Sequence, residues 1–266
     1  MGGVTAERMA LTFPRLPAGF DRLTVAVIAD AHLGPRPPLS ATEAVRTVND
    51  LHPDLIVLLG DLVHRAKSAS RYLPFFAGLR ANLGVYACLG NHEHGFFWYS
   101  RYLGRSPTPS AAEWRSMYAE LGVELLVNEA RPLERRGSRI WLVGVDDAYS
   151  GSDDLARALD GVDEAEFCLG ITHSPDVMDH PLIARLDLVL AGHTHGGQIR
   201  LPCIGPIWAP CRRPRERAMG LVRLGSTTLY VTRGVGEGMP IRYRCPREVT
   251  FLELGRGPAG SRRWVA

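Results

Sequence analysis

Short apolar runs, each closed by polar or glycine-rich residues, set the rhythm of this chain. Residues 23–29, 55–59, 85–89, 167–172 and 188–191 are such runs, rich in Val, Ile and Leu. At that length, bounded by turn residues, they read as buried strands. Amphipathic stretches fall between them. Ser40 with Glu43 three residues on has the spacing of a capping box, which predicts a helix running to about residue 51. Further helices are predicted over residues 69–83, 110–121 and 155–159, and further strands over 124–127 and 139–145. Strand, loop and helix thus alternate, the pattern of a parallel or mixed sheet with helices on its faces. Beyond residue 197 the rhythm changes. Residues 198–201, 219–223, 228–232 and 249–254 read as short strands without helices between them, and predict an antiparallel second sheet. The expected fold class is therefore α/β, with two packed mixed β-sheets flanked by helices. Residues 34–38 read as a loop, because Gly and Pro dominate them. Residues 1–22 read as an N-terminal lead-in, 23–254 as one domain, and 255–266 as a flexible C-terminal tail.

Composition narrows the class. The chain has 266 residues, 45% of them hydrophobic, enough for one large core. A net charge of +3 gives no general grip on nucleic acid. Lys67 is the one lysine; every other basic position is arginine, and a bias spread over the whole chain locates no site. The cysteines (Cys88, Cys168, Cys203, Cys211 and Cys245) are scattered, with no CxxC pair. That fits reduced thiols better than a disulfide framework. Cys203 and Cys211, which flank a proline-rich loop, are the one pair whose spacing leaves a bridge open. No apolar run reaches the roughly 18 residues of a membrane span, and no charged-then-apolar leader is visible. The expectation is a soluble cytoplasmic protein, with peripheral contact at an inner membrane left open.

The chemistry sits where the strands end. The five runs close on Asp30 and His32; Asp61; Asn91 and His92; His173; and His193 and His195. Each alone has an ordinary explanation, since Asp and Asn favour turns. Five strand ends closing this way point to one place, because ligands of open α/β sheets bind beyond the carboxyl ends of the strands. Two five- or six-coordinate cations sharing one bridging group need about seven protein donors, and Asp30, His32, Asp61, Asn91, His173, His193 and His195 supply that number. The donors are O and N without thiolate, a mixture suited to Mn, Fe or Zn. A carboxylate is the natural bridge.

The succession D-x-H, G-D, G-N-H-E, H and G-H-x-H, spread from Asp30 to His195, resembles the calcineurin-like metallophosphoesterases. Residues 192–198 and 229–234 are similar to a bacterial branch of YaeI- and YkuE-like phosphodiesterases, related to UDP-2,3-diacylglucosamine hydrolases. The resemblance implies a four-layer α/β/β/α fold and two divalent metal ions, Mn first, with Fe or Zn as alternatives. It implies a first metal on Asp30, His32 and His195, a second on Asn91, His173 and His193, and Asp61 as the bridge. His92 would face the phosphate as general acid, Asn91's amide would help to stabilise charge there, and Glu93 would orient the site from behind the ligands. The reaction implied is hydrolysis of a P–O bond by a metal-bridging hydroxide. Ala29 and Ala31 depart from the branch's usual residues but carry no ligand. The substrate implied is a phosphodiester or pyrophosphate small molecule, lipid-linked in one version of the reading.

Phe96, Phe97, Trp98 and Tyr99 follow the G-N-H-E loop directly. They read either as a local packing cluster or as a wall for an apolar substrate group or membrane contact. His94 and Arg101 are the polar candidates for the same rim, with Arg105 nearby. His64 reads as ordinary, Asp146-Asp147 as a turn, and the basic loop from Arg212 to Arg215 as a solvated face. Competing functions are a UDP-2,3-diacylglucosamine pyrophosphatase of lipid A synthesis, a phosphomonoesterase or phosphoprotein phosphatase, and a metal-stabilised scaffold without catalysis. His64 and Ala66 stand where the phosphoprotein phosphatases' G-D-x-V-D-R-G has Asp and Gly, which counts against that group. An intact donor set with His92 counts against the scaffold.

Overall fold

Every apolar run predicted as a buried strand is one in the computed structural model, which describes residues 3–35, 39–239 and 241–264. The strands are β1 (Thr5–Phe13), β2 (Leu23–Ile28), β3 (Leu55–Leu59), β4 (Val85–Cys88), β5 (Val123–Leu125), β6 (Glu129–Arg135), β7 (Ser138–Gly144), β8 (Cys168–Ile171) and β9 (Leu188–Ala191). They continue with β10 (Arg200–Leu201), β11 (Gly205–Pro206), β12 (Gly220–Leu224), β13 (Thr227–Val231), β14 (Glu248–Arg256) and β15 (Gly260–Trp264). The first sheet has the order β15-β1-β14-β2-β3-β4-β5, with β2 to β5 parallel. The second has the order β12-β13-β9-β8-β7-β6, with β7, β8, β9 and β13 parallel.

Alternation along each strand sends side chains to opposite faces, and both faces are buried. Leu23, Val25 and Val27 of β2 and Leu55, Val57 and Leu59 of β3 meet Ile140, Leu142, Leu169, Ile171, Leu188 and Leu190 of the second sheet. The intervening Ala26, Ile28, Ile56 and Leu58 face helices α1 (Leu39–Leu51) and, further along the chain, the helix Ala111–Ala119, through Ala44, Val48, Trp114 and Tyr118. Val143, Val189, Leu229 and Val231 face outward against Leu155, Val177 and Met178. The result is two mixed sheets face to face with helices outside, the expected four layers.

Several local expectations are corrected. The lead-in and the tail are not outside the fold: β1 lies between β14 and β15 in the first sheet, and residues 260–264 pair with it antiparallel. The late strands do not make a sheet of their own. β12 and β13 extend the second sheet, β14 returns to the first, and β10 with β11 forms a small hairpin. The long helix expected over residues 69–83 is broken into single turns, Ala69–Tyr72 and Leu73–Phe76. Pro74 lacks the N–H that a continuous helix needs there. Ser40 lies inside α1 rather than capping it, and Glu43 accepts from the Val4 amide instead, at 3.0 Å. The Ser110–Glu113 pair does form a capping box. Residues 36–38 of the proline-rich loop lie outside the described residues. All five cysteines are free.

The parallel strands β2, β3 and β4 of one sheet and β8 and β9 of the other run their carboxyl ends to a common edge. The turns there are stitched within the first sheet and across the sandwich. The Asp30 amide donates to Gly60 O and the His32 amide to Asp61 O, at 3.1 and 2.9 Å. Nδ1 of His173 bonds to Leu59 O, in the other sheet, at 2.7 Å.

Candidate metal centre

The turns that follow these strands are tight and left-handed. Asp30, His32, Asp61, His193 and His195 have φ of 56, 47, 49, 69 and 49°. Each such non-glycine residue costs about 1–3 kcal/mol, so the surroundings must hold it there. Both Asp30 oxygens accept the His193 amide at 3.1 Å. Asp61 Oδ1 accepts the His92 amide at 2.8 Å. Glycines make room for the two carboxylates. A Cβ on Gly90 would lie 2.3 Å from Asp61 Oδ1, and one on Gly192 would lie 2.7 Å from Asp30 Oδ2.

All seven expected donor residues come together at this edge, as two groups. Asp30, His32 and His195 form one; Asp61, His173 and His193 form the other, with Asn91 beside it. In the first, His32 Nε2 and His195 Nε2 are 3.0 Å apart, and His195 Nε2 is 3.7 Å from Asp30 Oδ1. In the second, His173 Nε2 is 3.1 Å from His193 Nδ1 and 3.2 Å from Asn91 Oδ1. Asp61 Oδ2 lies between the groups, 3.8 Å from His32 Nε2 and 3.3 Å from His173 Nε2.

The inward atoms are set by what the outward atoms do. Nδ1–H of His173 is used on Leu59 O, which turns Nε2 toward the centre, between Asn91 Oδ1 and Asp61 Oδ2. The Asn91 Nδ2 donates to Phe96 O at 2.7 Å, which turns Oδ1 inward. The amide nitrogen expected to help stabilise charge on a phosphate has one of its two hydrogens on Phe96 O. Glu93 is fully buried and accepts four backbone amides. Its Oε2 takes Asp61 and Gly90 at 2.8 and 2.9 Å, and its Oε1 takes Leu62 and Val63 at 2.9 and 3.3 Å. One carboxylate therefore ties the Asp61 turn to the Asn91 turn.

Burial governs the charge states. It pushes the Asp30 carboxyl up to about 7, against the opposing pull of His173. It drives His32 and His193 well below the ordinary imidazole value, and neighbouring imidazoles add to the effect. It takes His195 down to about 3, with the Arg242 guanidinium contributing. These imidazoles are thus neutral, the form that ligates metal. Burial also opposes charge on His173 and Asp61, but their mutual attraction outweighs it, raising His173 and lowering Asp61 well past their ordinary values. His173 thus holds a proton that a bound cation would displace; the nitrogen and the carboxylate or amide oxygen donors, preoriented and converging in pairs, fit a pair of divalent cations.

The remaining residues divide. His92 Nδ1–H donates to His64 O, 2.9 Å away, and its Nε2 is 3.8 Å from Asp61 Oδ2. His94, expected on the rim, is turned away and bonds to Asp146 Oδ1 at 2.7 Å. The turn predicted at Asp146-Asp147 belongs to Asp147, which accepts the Tyr149 and Ser150 amides at 3.2 and 2.8 Å. A cavity of about 860 Å³ opens over the centre. Phe97, Trp98 and Tyr99 line it, whereas Phe96 packs on Tyr149 and Arg105. Arg101 stands over the Tyr149 ring, 5.9 Å from its centroid. Arg212 and Arg213 pair with Asp179 rather than with the cavity.

Three features were missed in the sequence. His64 lines the cavity, its ring 5.4 Å from that of His92. Its place three residues after Asp61 was the available signal. Arg242 donates to the carbonyls of His195, Arg233 and Gly236, which props the last ligand turn from beneath. Trp208 and Met239 form the far wall of the cavity; nothing local in their proline- and glycine-rich segments marks them.

A double-sheet sandwich whose strand ends gather two histidine-carboxylate groups over one cavity is the architecture of a two-metal hydrolase. Residues 23–197 match the model of the calcineurin-like phosphoesterase family, and the chain belongs to that family. It is a metal-dependent phosphoester hydrolase. The chain is 30% identical to the uncharacterized metallophosphoesterase YkuE of Bacillus subtilis (strain 168), over 90% of this chain and 81% of that protein. It is 32% identical to phosphodiesterase YaeI of Escherichia coli (strain K12), over 85% and 80%. It is 28% identical to the UDP-2,3-diacylglucosamine pyrophosphatase LpxG of Chlamydia trachomatis, over 92% and 87%.

Proposed function

We propose that the protein is a phosphodiesterase that cleaves a diester or pyrophosphate bond of a small molecule at a two-cation centre. In this reading Asp30, His32 and His195 hold one cation, Asn91, His173 and His193 the other, and Asp61 is shared. The observation that carries it is the position of Asp61 Oδ2, within 3.8 Å of a histidine nitrogen from each group. When bound, the two cations supply Lewis-acid polarisation of the phosphoryl oxygens and acidify the attacking water. We assign manganese first, with iron or zinc as alternatives, from the O and N donor set.

The chain's own groups do the rest. His92 Nδ1–H, held on His64 O, fixes the ring so that Nε2 faces the cavity. Protonated at Nε2, His92 hydrogen-bonds the phosphate and hands that proton to the departing oxygen. Glu93 holds both carboxyl-end turns in register. Phe97, Tyr99 and Trp208 keep bulk water from the walls. The histidine and alanine at positions 64 and 66 weigh against a phosphoprotein phosphatase, and the presence of His92 beside an intact donor set weighs against a scaffold. The diester reading takes support from the name of YaeI. A second version, a UDP-2,3-diacylglucosamine pyrophosphatase, is favoured by the size of the cavity and by the Trp98, Trp208 and Met239 side chains along it. No helix among the described residues is long and apolar enough to cross a membrane. We place the protein in the cytoplasm or peripherally on the inner membrane.

The test is a hydrolysis panel on Mn-loaded protein: an aryl diester, an aryl monoester and UDP-2,3-diacylglucosamine, each repeated after chelation. Chelator-sensitive turnover of the diester or the UDP-lipid, exceeding that of the monoester, is expected. Preference for the monoester, or turnover indifferent to chelation, contradicts the assignment.

A further inference from the structure

The cavity over the centre opens between two apolar lips. The first is the segment after the Asn91 turn, where Trp98, Tyr102 and Leu103 are 72, 85 and 80% exposed. The second joins the β10–β11 hairpin to residues 239–243. There Ile204, Ile207 and Trp208 are 56, 62 and 60% exposed, and Met239, Ile241 and Tyr243 about half exposed. Single exposed hydrophobics are ordinary on a protein surface, but a contiguous patch marks an interaction site. Among the described residues only Leu39, Leu182 and Leu224 are large exposed hydrophobics outside these lips. Trp98, Trp208 and Met239 also line the cavity, so lips and centre form one continuous surface.

The second lip is built rather than loose. Gln198 clamps it from the His195 turn. Its Oε1 accepts the Gly238 and Met239 amides at 3.1 and 3.0 Å, and its Nε2 donates to the Met239 and Ile241 carbonyls at 2.7 and 2.9 Å. The Arg200 amide donates to Tyr243 O, and the Tyr243 amide to Gln198 O, at 3.1 and 2.8 Å. The backbone is satisfied internally while Ile, Trp and Tyr side chains are held in water, an arrangement that is unfavourable until something covers it.

Charge identifies what covers it. Residues 64–72, 96–107, 198–213 and 238–247 contribute the cavity rim and both lips. They contain no Asp or Glu, although the whole chain has 28 acidic residues. Basic residues run through all four segments. Arg65 and Lys67 line the cavity, Arg101 and Arg105 accompany the first lip, and Arg244 is exposed beside Tyr243. Arg212 and Arg213 are taken up by Asp179, and Arg242 and Arg247 by Glu237, but Arg65, Lys67, Arg101, Arg105 and Arg244 stand beside Trp, Tyr and aliphatic side chains, a combination that matches the interface of an anionic bilayer. A protein seated on the same lips would close the cavity between them, whereas a bilayer can feed it.

We propose that the two lips dock the protein on an anionic lipid bilayer with the cavity mouth facing the membrane, so that the phosphate linkage of a membrane amphiphile enters the centre while its acyl part stays in lipid. The docking stands on the surface alone; the choice of substrate rests on the phosphodiesterase reading above. The experiment is co-sedimentation of the full, Mn-loaded chain with vesicles of phosphatidylcholine, and of phosphatidylcholine with one part in four phosphatidylglycerol. Two double variants accompany it, Tyr102→Ser/Leu103→Ser and Ile204→Ser/Ile207→Ser, which touch one lip each and leave the cavity lining intact. Wild type should bind the anionic vesicles at least tenfold more tightly than the neutral ones, and high salt should weaken that binding. Each double variant should lose tenfold or more in vesicle affinity while hydrolysing a soluble aryl diester at the wild-type rate and keeping its Tm. Equal partitioning of wild type and variants, binding to neither vesicle, or a dimer in solution that either double variant dissolves would overturn the proposal, the last by naming a second copy as the occupant. Binding needs no turnover. Loss of diester hydrolysis with vesicle binding intact therefore sinks the catalytic reading alone, and the reverse result sinks the docking alone.

Discussion

Glu93→Gln is the substitution whose cost can be worked most closely. The side chain keeps its size, so no cavity opens. What changes is one oxygen, which becomes an NH₂ group. Each oxygen of Glu93 receives two backbone amides, Asp61 and Gly90 on one side, Leu62 and Val63 on the other. Whichever way the carboxamide turns, its NH₂ faces two N–H donors and accepts neither. Two buried donors are orphaned at about 1–3 kcal/mol each, which predicts a loss of about 2–6 kcal/mol. That is a large share of a typical total of about 5–15 kcal/mol. The same amides position Asp61 and the Asn91 turn, so Mn affinity should also fall, by about 10–100-fold for a group that orients ligands. Urea unfolding in chelator measures the first effect without metal linkage, and calorimetric Mn titration of the folded variant measures the second. A variant within about 0.5 kcal/mol of wild type, the range of an ordinary surface substitution, and with unchanged Mn affinity, would refute the role given to Glu93.

Other predictions follow from the same geometry. His92→Asn should retain both cations, by metal analysis, and lose about 10²–10⁴ in kcat on a diester; loss of metal would count against its assignment as a proton donor. Excess Mn should stabilise the chain by about 2.7 kcal/mol at a hundredfold excess over Kd, seen as a Tm that falls on chelation; a Tm indifferent to metal would argue against a folded-state site. His94 titrates with a sign that can be worked out. Burial lowers it, but the bond to Asp146 and that residue's charge win and raise it above the ordinary 6.5. The pairing therefore contributes fully below that ordinary value and fades as pH rises through the raised one. Asp146→Asn should cost about 1.5–3 kcal/mol near pH 5.5 and much less near pH 9. An equal cost at both pH values in urea unfolding would show that the pair is not ionic.

The site was more legible than the frame around it. Each donor lies within a few residues of an apolar strand, and parallel strands deliver their carboxyl ends to one edge. Local pattern therefore carried the positions of Asp30, Asp61, Asn91, His173 and the His193–His195 turn. It did not carry the left-handed backbone of those turns, because only the glycines announce such conformations and the donors themselves are not glycines. Pairing between distant segments was equally hidden. β1 carries a period-2 signal in Met9, Leu11 and Phe13, all buried. The prolines after it, Pro14 and Pro17, make the segment read as a lead-in. β15 carries arginines and glycine, the composition of an edge strand guarded against further pairing, and that composition also reads as a tail. The fate of the late strands depended on which sheet edge was free. The second apolar lip depended on exposure, which no pattern of hydrophobic residues states: Ile204, Ile207 and Trp208 read from sequence as a loop.

The central claim is that seven side chains hold two cations with Asp61 between them. Anomalous diffraction at the Mn edge, from crystals grown with Mn, tests it without reference to any substrate. The account predicts two peaks, one against Asp30, His32 and His195, the other against Asn91, His173 and His193, with Asp61 touching both. A single peak, or two peaks with Asp61 bound to only one of them, would contradict it.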